Sequence, residues 1–139
     1  MSKLIIMGSG AAPGVPAIAN GWGDCDPNNP KNCRSRTGVY LEIRSTKILI
    51  DTSPDIRIQL LNNNIRFLDA VLYTHGHADH LHGIDDLRDL NRILLRPLDV
   101  YANQQTSDAI YHRFPYLVAD KEHMNNPIFF PSLDIHIIE

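Results

Sequence analysis

Six consecutive residues constrain this chain more than any other feature: His75-Gly76-His77-Ala78-Asp79-His80. They follow the continuous apolar run Ala70-Val71-Leu72-Tyr73, the pattern of a strand buried on both faces. A chain leaving a strand still extended points residues two apart to the same side, so His75 and His77 can grip one ion. If the backbone then turns into a helix, Asp79 and His80 project differently and can serve a second ion, about 3.5–4 Å from the first as in two-metal sites. Imidazole with carboxylate suits zinc, with manganese and iron as second choices. Such ions lower the pKa of a bridging water, make hydroxide near neutral pH and polarise the bond under attack. Asp79 is taken as the catalytic residue as well as a ligand. The competing reading is a solvated histidine-rich loop that traps metal by accident; the preceding strand and the residue types both fit a built site better.

Around this motif the hydrophobic pattern alternates strands and helices. Lys3 to Met7 is a short apolar run closed by Gly8-Ser9-Gly10, a strand and its turn. Residues 11 to 36 are rich in Ala, Pro, Gly and Asn without periodicity, a long loop of the kind that is functional or disordered. Val39, Leu41 and Ile43 alternate with Tyr40, Glu42 and Arg44, which predicts a strand with one buried face. Ser45-Thr46 turns it into a second strand, Lys47 to Ile50, with Asp51 at its end. Ser53-Pro54-Asp55 starts a helix with an apolar stripe of Ile56, Leu60 and Leu61, ending in Asn62-Asn63-Asn64. A second helix is predicted from about Leu81 to Leu95, buried through Ile84, Leu87, Leu90 and Leu94, with Asp85 and Asp86 in its first turn. Leu98 to Ala102 is a strand, and Thr106 or Ser107 caps a helix reaching Phe114. Pro127–Pro131 and Leu133–Ile138 read as late strands. The alternation gives an α/β class and one domain over residues 1–139.

The remaining histidines are read otherwise. His82 follows the cluster on the helix, and His112 and His123 are surface histidines. His136 points away from the face shared by Leu133, Ile135 and Ile137, so it stays outside the ligand set. Cys25 and Cys33 are too few for a disulfide scaffold. With no apolar stretch near the roughly 20 residues of a membrane span, the expectation is a cytoplasmic protein without membrane contact. A net charge of −3 offers no broad basic footprint, so nucleic acid is not the expected partner.

The pattern His-x-His-x-Asp-His after an apolar strand, continued by Leu81-His82-Gly83, resembles the metallo-β-lactamase superfamily. The resemblance implies an αββα sandwich, with His75 and His77 on one metal, Asp79 and His80 on the other, and Asp51 orienting the metal-bearing loop. The opening narrows it. Gly8 to Pro16, Trp22-Gly23-Asp24-Cys25-Asp26-Pro27 and Asn32-Cys33-Arg34-Ser35-Arg36 look like the branch that holds the phosphoribosyl cyclic phosphodiesterase. The implied function is metal-dependent hydrolysis of a phosphodiester or cyclic phosphate, a small-molecule substrate, through a metal-bound hydroxide.

By the same resemblance, members of this branch are nearly twice as long and supply a third histidine, a bridging Asp and another histidine from later segments. The chain is therefore expected to be the N-terminal half of the sandwich, with one sheet face lacking its partner. A second copy could cover that face as a homodimer. Some members of the branch bind a structural zinc on a cysteine cluster; here that cluster is absent, and Cys25 and Cys33 are read as free thiols. Two alternatives stay open: a disabled remnant that binds metal or dimerises without turnover, and a ribonuclease Z-like nuclease, with Arg34 and Arg36 near a phosphate. A dinucleotide-binding reading of Gly8-Ser9-Gly10 fails on Pro13, where a third glycine is wanted.

Overall fold

The computed structural model describes residues 2–118 and 132–139. The expected strand Pro127–Pro131 and His123 lie outside them. Six strands form one sheet in the order β1 (Ser2–Gly8), β2 (Gly38–Ile43), β3 (Thr46–Ile50), β4 (Ala70–Leu72), β5 (Leu98–Ala102), β6 (Leu133–Ile137). The first three pair antiparallel, and β3 to β6 pair parallel. A two-residue turn at Arg44-Ser45 suffices between antiparallel β2 and β3. Parallel neighbours need crossovers, which the helices provide. Helix α1 (Ile56–Asn62) links β3 to β4. Helices α2 (Ala78–Leu81) and α3 (Leu87–Leu94) link β4 to β5, and α4 (Gln104–Arg113) follows β5. The α/β expectation holds. Among the described residues, no helix is long and apolar enough to cross a membrane.

The core lies between the helices and one face of the sheet. Tyr40, Leu49, Val71, Val100 and Leu133 from the strands meet Ile56, Leu60, Leu81, Ile84, Leu87 and Ile110 from the helical layer. This corrects the reading of β2. Its alternation is real, but Tyr40 faces the helices at 4% exposure, while Val39 and Leu41 are half-buried and Ile43 is exposed. Alternation shows which residues share a face, not which face the helices choose. The opposite face carries Leu4 and Ile6 beside Leu41 and Val39 in register. Leu4 and Ile6 are 61% and 65% exposed. An uncovered apolar strip of this kind is unusual for a soluble surface.

Three helix predictions need correction. Leu61 is exposed, so the buried stripe of α1 is Ile56, Gln59 and Leu60. The helix predicted over Leu81–Leu95 is broken into α2, a 3₁₀ turn at Ile84–Asp86, and α3. The break falls at Gly83, whose N–H donates to the Thr52 carbonyl at 2.9 Å and where any Cβ would overlap the Ser53 carbonyl. The cap of α4 is Asn103, whose side chain accepts from Thr106 N at 2.8 Å; Thr106 and Ser107 are buried inside the first turn.

Leu49 has no exposed surface and Ile18 is 99% exposed. Leu49→Ala is expected to cost about 2–5 kcal/mol, and Ile18→Ala to stay within about 0.5 kcal/mol. Urea unfolding midpoints of the two variants check this.

Candidate metal centre

The site forms where β3 and β4 end. Asp51 directly follows β3 with φ of 61°, a left-handed conformation that aspartate adopts more readily than most residues. Its N–H donates to the Leu72 carbonyl at 2.9 Å, locking the two strand ends together. The turn turns the carboxylate inward, where the residue is only 4% exposed. There it accepts from Thr74 N at 2.8 Å, from Thr74 Oγ1 at 2.7 Å and from His80 Nδ1 at 2.7 Å. A buried carboxylate is tolerable when its lone pairs are met in this way.

These contacts decide where the imidazole protons sit. A carboxylate only accepts, so His80 carries its proton on Nδ1 and leaves Nε2 bare. The Thr74 hydroxyl has one proton, which goes to Asp51; toward His75 Nδ1, 3.0 Å away, Thr74 can only accept. His75 is therefore also protonated on Nδ1, with Nε2 bare. Thr74 was not singled out in the sequence, although it directly precedes the motif.

Past β4 the chain stays extended through His77 (φ −69°, ψ 153°) and enters α2 at Ala78. The donors come in two pairs. His75 Nε2 lies 3.1 Å from His77 Nδ1, and His80 Nε2 lies 3.4 Å from an Asp79 oxygen. The pairs adjoin, since the rings of His75 and His80 have centroids 4.1 Å apart. Two ligands of one tetrahedral zinc, each bonded at 2.0–2.1 Å, stand roughly 3.3 Å apart. Both pairs have that spacing, and both contain a bare Nε2, so the donor set fits a metal ion. His77 is exposed and His75, Asp79 and His80 are half-buried, which leaves the cluster open to a substrate.

The helices hold this loop from behind. Thr52 N donates to the His80 carbonyl at 2.7 Å, and Thr52 Oγ1 donates to the Leu81 carbonyl at 3.2 Å. That direction leaves the Tyr73 hydroxyl as donor to Thr52 Oγ1 at 2.8 Å. Burial raises the Tyr73 pKa far above the phenol range, so the hydroxyl keeps its proton. From α4, Arg113 Nη1 donates to the Gly76 carbonyl at 2.7 Å. No sequence signal marks Arg113, because the contact spans 37 positions.

The other singled-out residues lie elsewhere. Arg36 is committed to Asp55, with an ion pair of 2.9 Å and a backbone bond of 2.8 Å. Arg34 donates to Ser9 Oγ at 3.1 Å. His82 meets Phe114 edge-on, and His112 is exposed. Cys25 and Cys33 are free thiols. A groove of about 410 Å³ between α1 and α3, lined by Arg57, Leu60, Asp86 and Ile93, contains none of the motif residues.

The chain is similar to several known proteins. Residues 46–139 match the beta-lactamase superfamily domain. A crystal structure of a diphosphatase from the PhnP family superposes with a TM-score of 0.84 at 34% identity, over 100% of this chain and 51% of that one. Zinc-bound PqqB from Methylobacterium extorquens shares the fold, with a TM-score of 0.68 at 20% identity over 50% of its length. An octanoyltransferase of Porphyromonas gingivalis is 39% identical over 127 residues, 91% of this chain and 25% of that protein. The chain thus spans about half the length of the solved structures it matches and a quarter of that curated relative.

Proposed function

The chain belongs to the beta-lactamase superfamily, and from that premise we propose that it carries the metal-binding half of a metal-dependent hydrolase for a small phosphodiester, cyclic phosphate or diphosphate. The carrying observation is the pairing of donors described above, 3.1 Å within His75/His77 and 3.4 Å within Asp79/His80. The likeness to a diphosphatase at 34% identity supports the phosphate class.

His75 Nε2 and His77 Nδ1 would hold one ion, and Asp79 and His80 Nε2 the other. Zinc suits imidazole and carboxylate best, with manganese or iron next. When bound, the ions supply Lewis acidity, acidifying water and neutralising charge on phosphate oxygens. The chain's own residues position the reaction. Asp51 and Thr74 keep the Nδ1 protons of His75 and His80 in place, so both rings offer Nε2 outward. Asp79 is the catalytic residue: its carboxylate accepts a hydrogen bond from the attacking water and aims it. Arg113 fixes the Gly76 carbonyl and with it the spacing of His75 and His77.

Elemental analysis is expected to find about two zinc ions per chain more than in a variant with His75, His77 and His80 all alanine, with turnover of bis(p-nitrophenyl) phosphate on the wild-type sample. His77→Ala should lose the ion shared with His75, and the turnover with it. Asp51→Asn, which removes no ligand, should weaken zinc binding about 10–100-fold. Metal bound without turnover would overturn the hydrolase reading and leave a binding remnant.

The open sheet face supports a companion proposal. Exposed Leu4, Ile6 and Ile43 form a strip that a second copy can cover, because a two-fold axis sets the same apolar patch against itself. Light scattering is expected to give a dimer that Ile6→Lys returns to monomer; a wild-type monomer at high concentration would refute it.

A further inference from the structure

A second group of metal-ligating side chains stands on the open face, apart from the histidine motif. Strands β5 and β6 are parallel and in register, pairing Asp99 with Asp134 and Tyr101 with His136. Residues two apart on one strand share a face, so Asp99, Asp134 and His136 project together. Asp99 and Asp134 are level with Ala70, at the start of β4, and His136 with Leu72, at its end. The motif follows β4 itself, whereas this group stands on β5 and β6, one and two strands further along the sheet. One donor atom from each of Asp99, Asp134 and His136 lies within 4.8 Å of the other two.

The local geometry is prepared for a cation. Two carboxylates directly across neighbouring strands repel each other, and the fold nevertheless places them there. His136 Nε2 is 2.7 Å from Asp99 Oδ1 but 3.8 Å from Asp134 Oδ2, so this nitrogen hydrogen-bonds to Asp99 and not to Asp134. Arg96 Nη1 holds Asp99 Oδ2 at 3.1 Å and so turns Oδ1 toward the ring. Tyr101 stacks on the His136 ring with centroids 4.9 Å apart and planes 25° off parallel, which orients the imidazole. The His136 hydrogen bond, with help from Arg96, holds the Asp99 carboxyl below the usual carboxylate range despite the opposing effect of burial. Asp99 is thus charged at neutral pH. Every donor rises from a strand, so little ordering is needed on binding.

We propose that Asp99, Asp134 and His136 form a second, independent site for one divalent transition-metal ion, zinc being the best fit. The imidazole favours zinc over the hard, all-oxygen cations calcium and magnesium. Three protein ligands leave a fourth position for water. The ion replaces the Nε2 proton that now bridges to Asp99, and that proton goes to solvent.

The test is a zinc titration, by calorimetry, of the chain in which His75, His77 and His80 are all alanine. About one ion per chain should still bind. Adding His136→Gln should weaken that binding about tenfold or more, with unchanged circular dichroism. No binding in the triple variant would overturn the proposal, as would binding indifferent to His136→Gln. Should the triple variant not fold, zinc titration of the wild-type chain followed by imidazole NMR decides. His136 resonances that move support the site, and resonances that stay fixed while the motif fills refute it. Since the motif is absent in one arm and intact in the other, failure here is distinguishable from failure of the hydrolase reading.

Discussion

The Asp51 carboxylate ties three separate pieces of chain into one site. It joins the end of β3 to Thr74 beyond β4 and to His80 in α2 through three hydrogen bonds of 2.7–2.8 Å. Its own backbone sits at φ 61°, a conformation that costs energy in any residue with a side chain. The hydrogen bonds offset that cost and, because a carboxylate only accepts, dictate the protonated nitrogen of His80. Through Thr74 the same constraint reaches His75. Orientation of two imidazoles thus follows from one buried charge.

The sheet explains why this happens at the ends of β3 and β4. In open α/β sheets the loops leaving the carboxyl ends of parallel strands are the natural place for ligands. Here the loops after β3 and β4 meet there, and α2 and α4 support them from the helical side. On the opposite face, among the described residues, Leu4, Ile6 and Ile43 stay exposed. That face is divided: apolar on β1 and β2, and polar on β5 and β6, where Asp99, Tyr101, Asp134 and His136 stand. The chain fills about half of the structures it superposes on, which accords with a single helical layer against one sheet.

What the sequence made legible was local. The motif lies within six consecutive positions, and its extended-then-helical backbone follows from the strand before it. Strand β5 begins and ends where the apolar pattern does, at Leu98 and Ala102. What stayed hidden depends on distant partners. The helix break at Gly83 comes from Thr52 and Ser53, some thirty positions away. Arg113 reaches Gly76 only because α4 folds behind the loop. The Asp99, Asp134 and His136 group exists only because β5 and β6 pair in one register. The buried face of β2 depended on which side the helices took, and one strand's alternation carries no such information.

Asp51 and Thr74 fix the proton on Nδ1 of His75 and His80, leaving Nε2 bare for a metal. Nitrogen-15 NMR of the imidazole rings in the metal-free chain reads this directly, at about pH 8 where an ordinary imidazole is neutral. Both rings should show the Nδ1–H tautomer, and in Asp51→Asn His80 should return toward the ordinary tautomer mixture. An Nε2–H tautomer at either ring in the wild-type chain would contradict this.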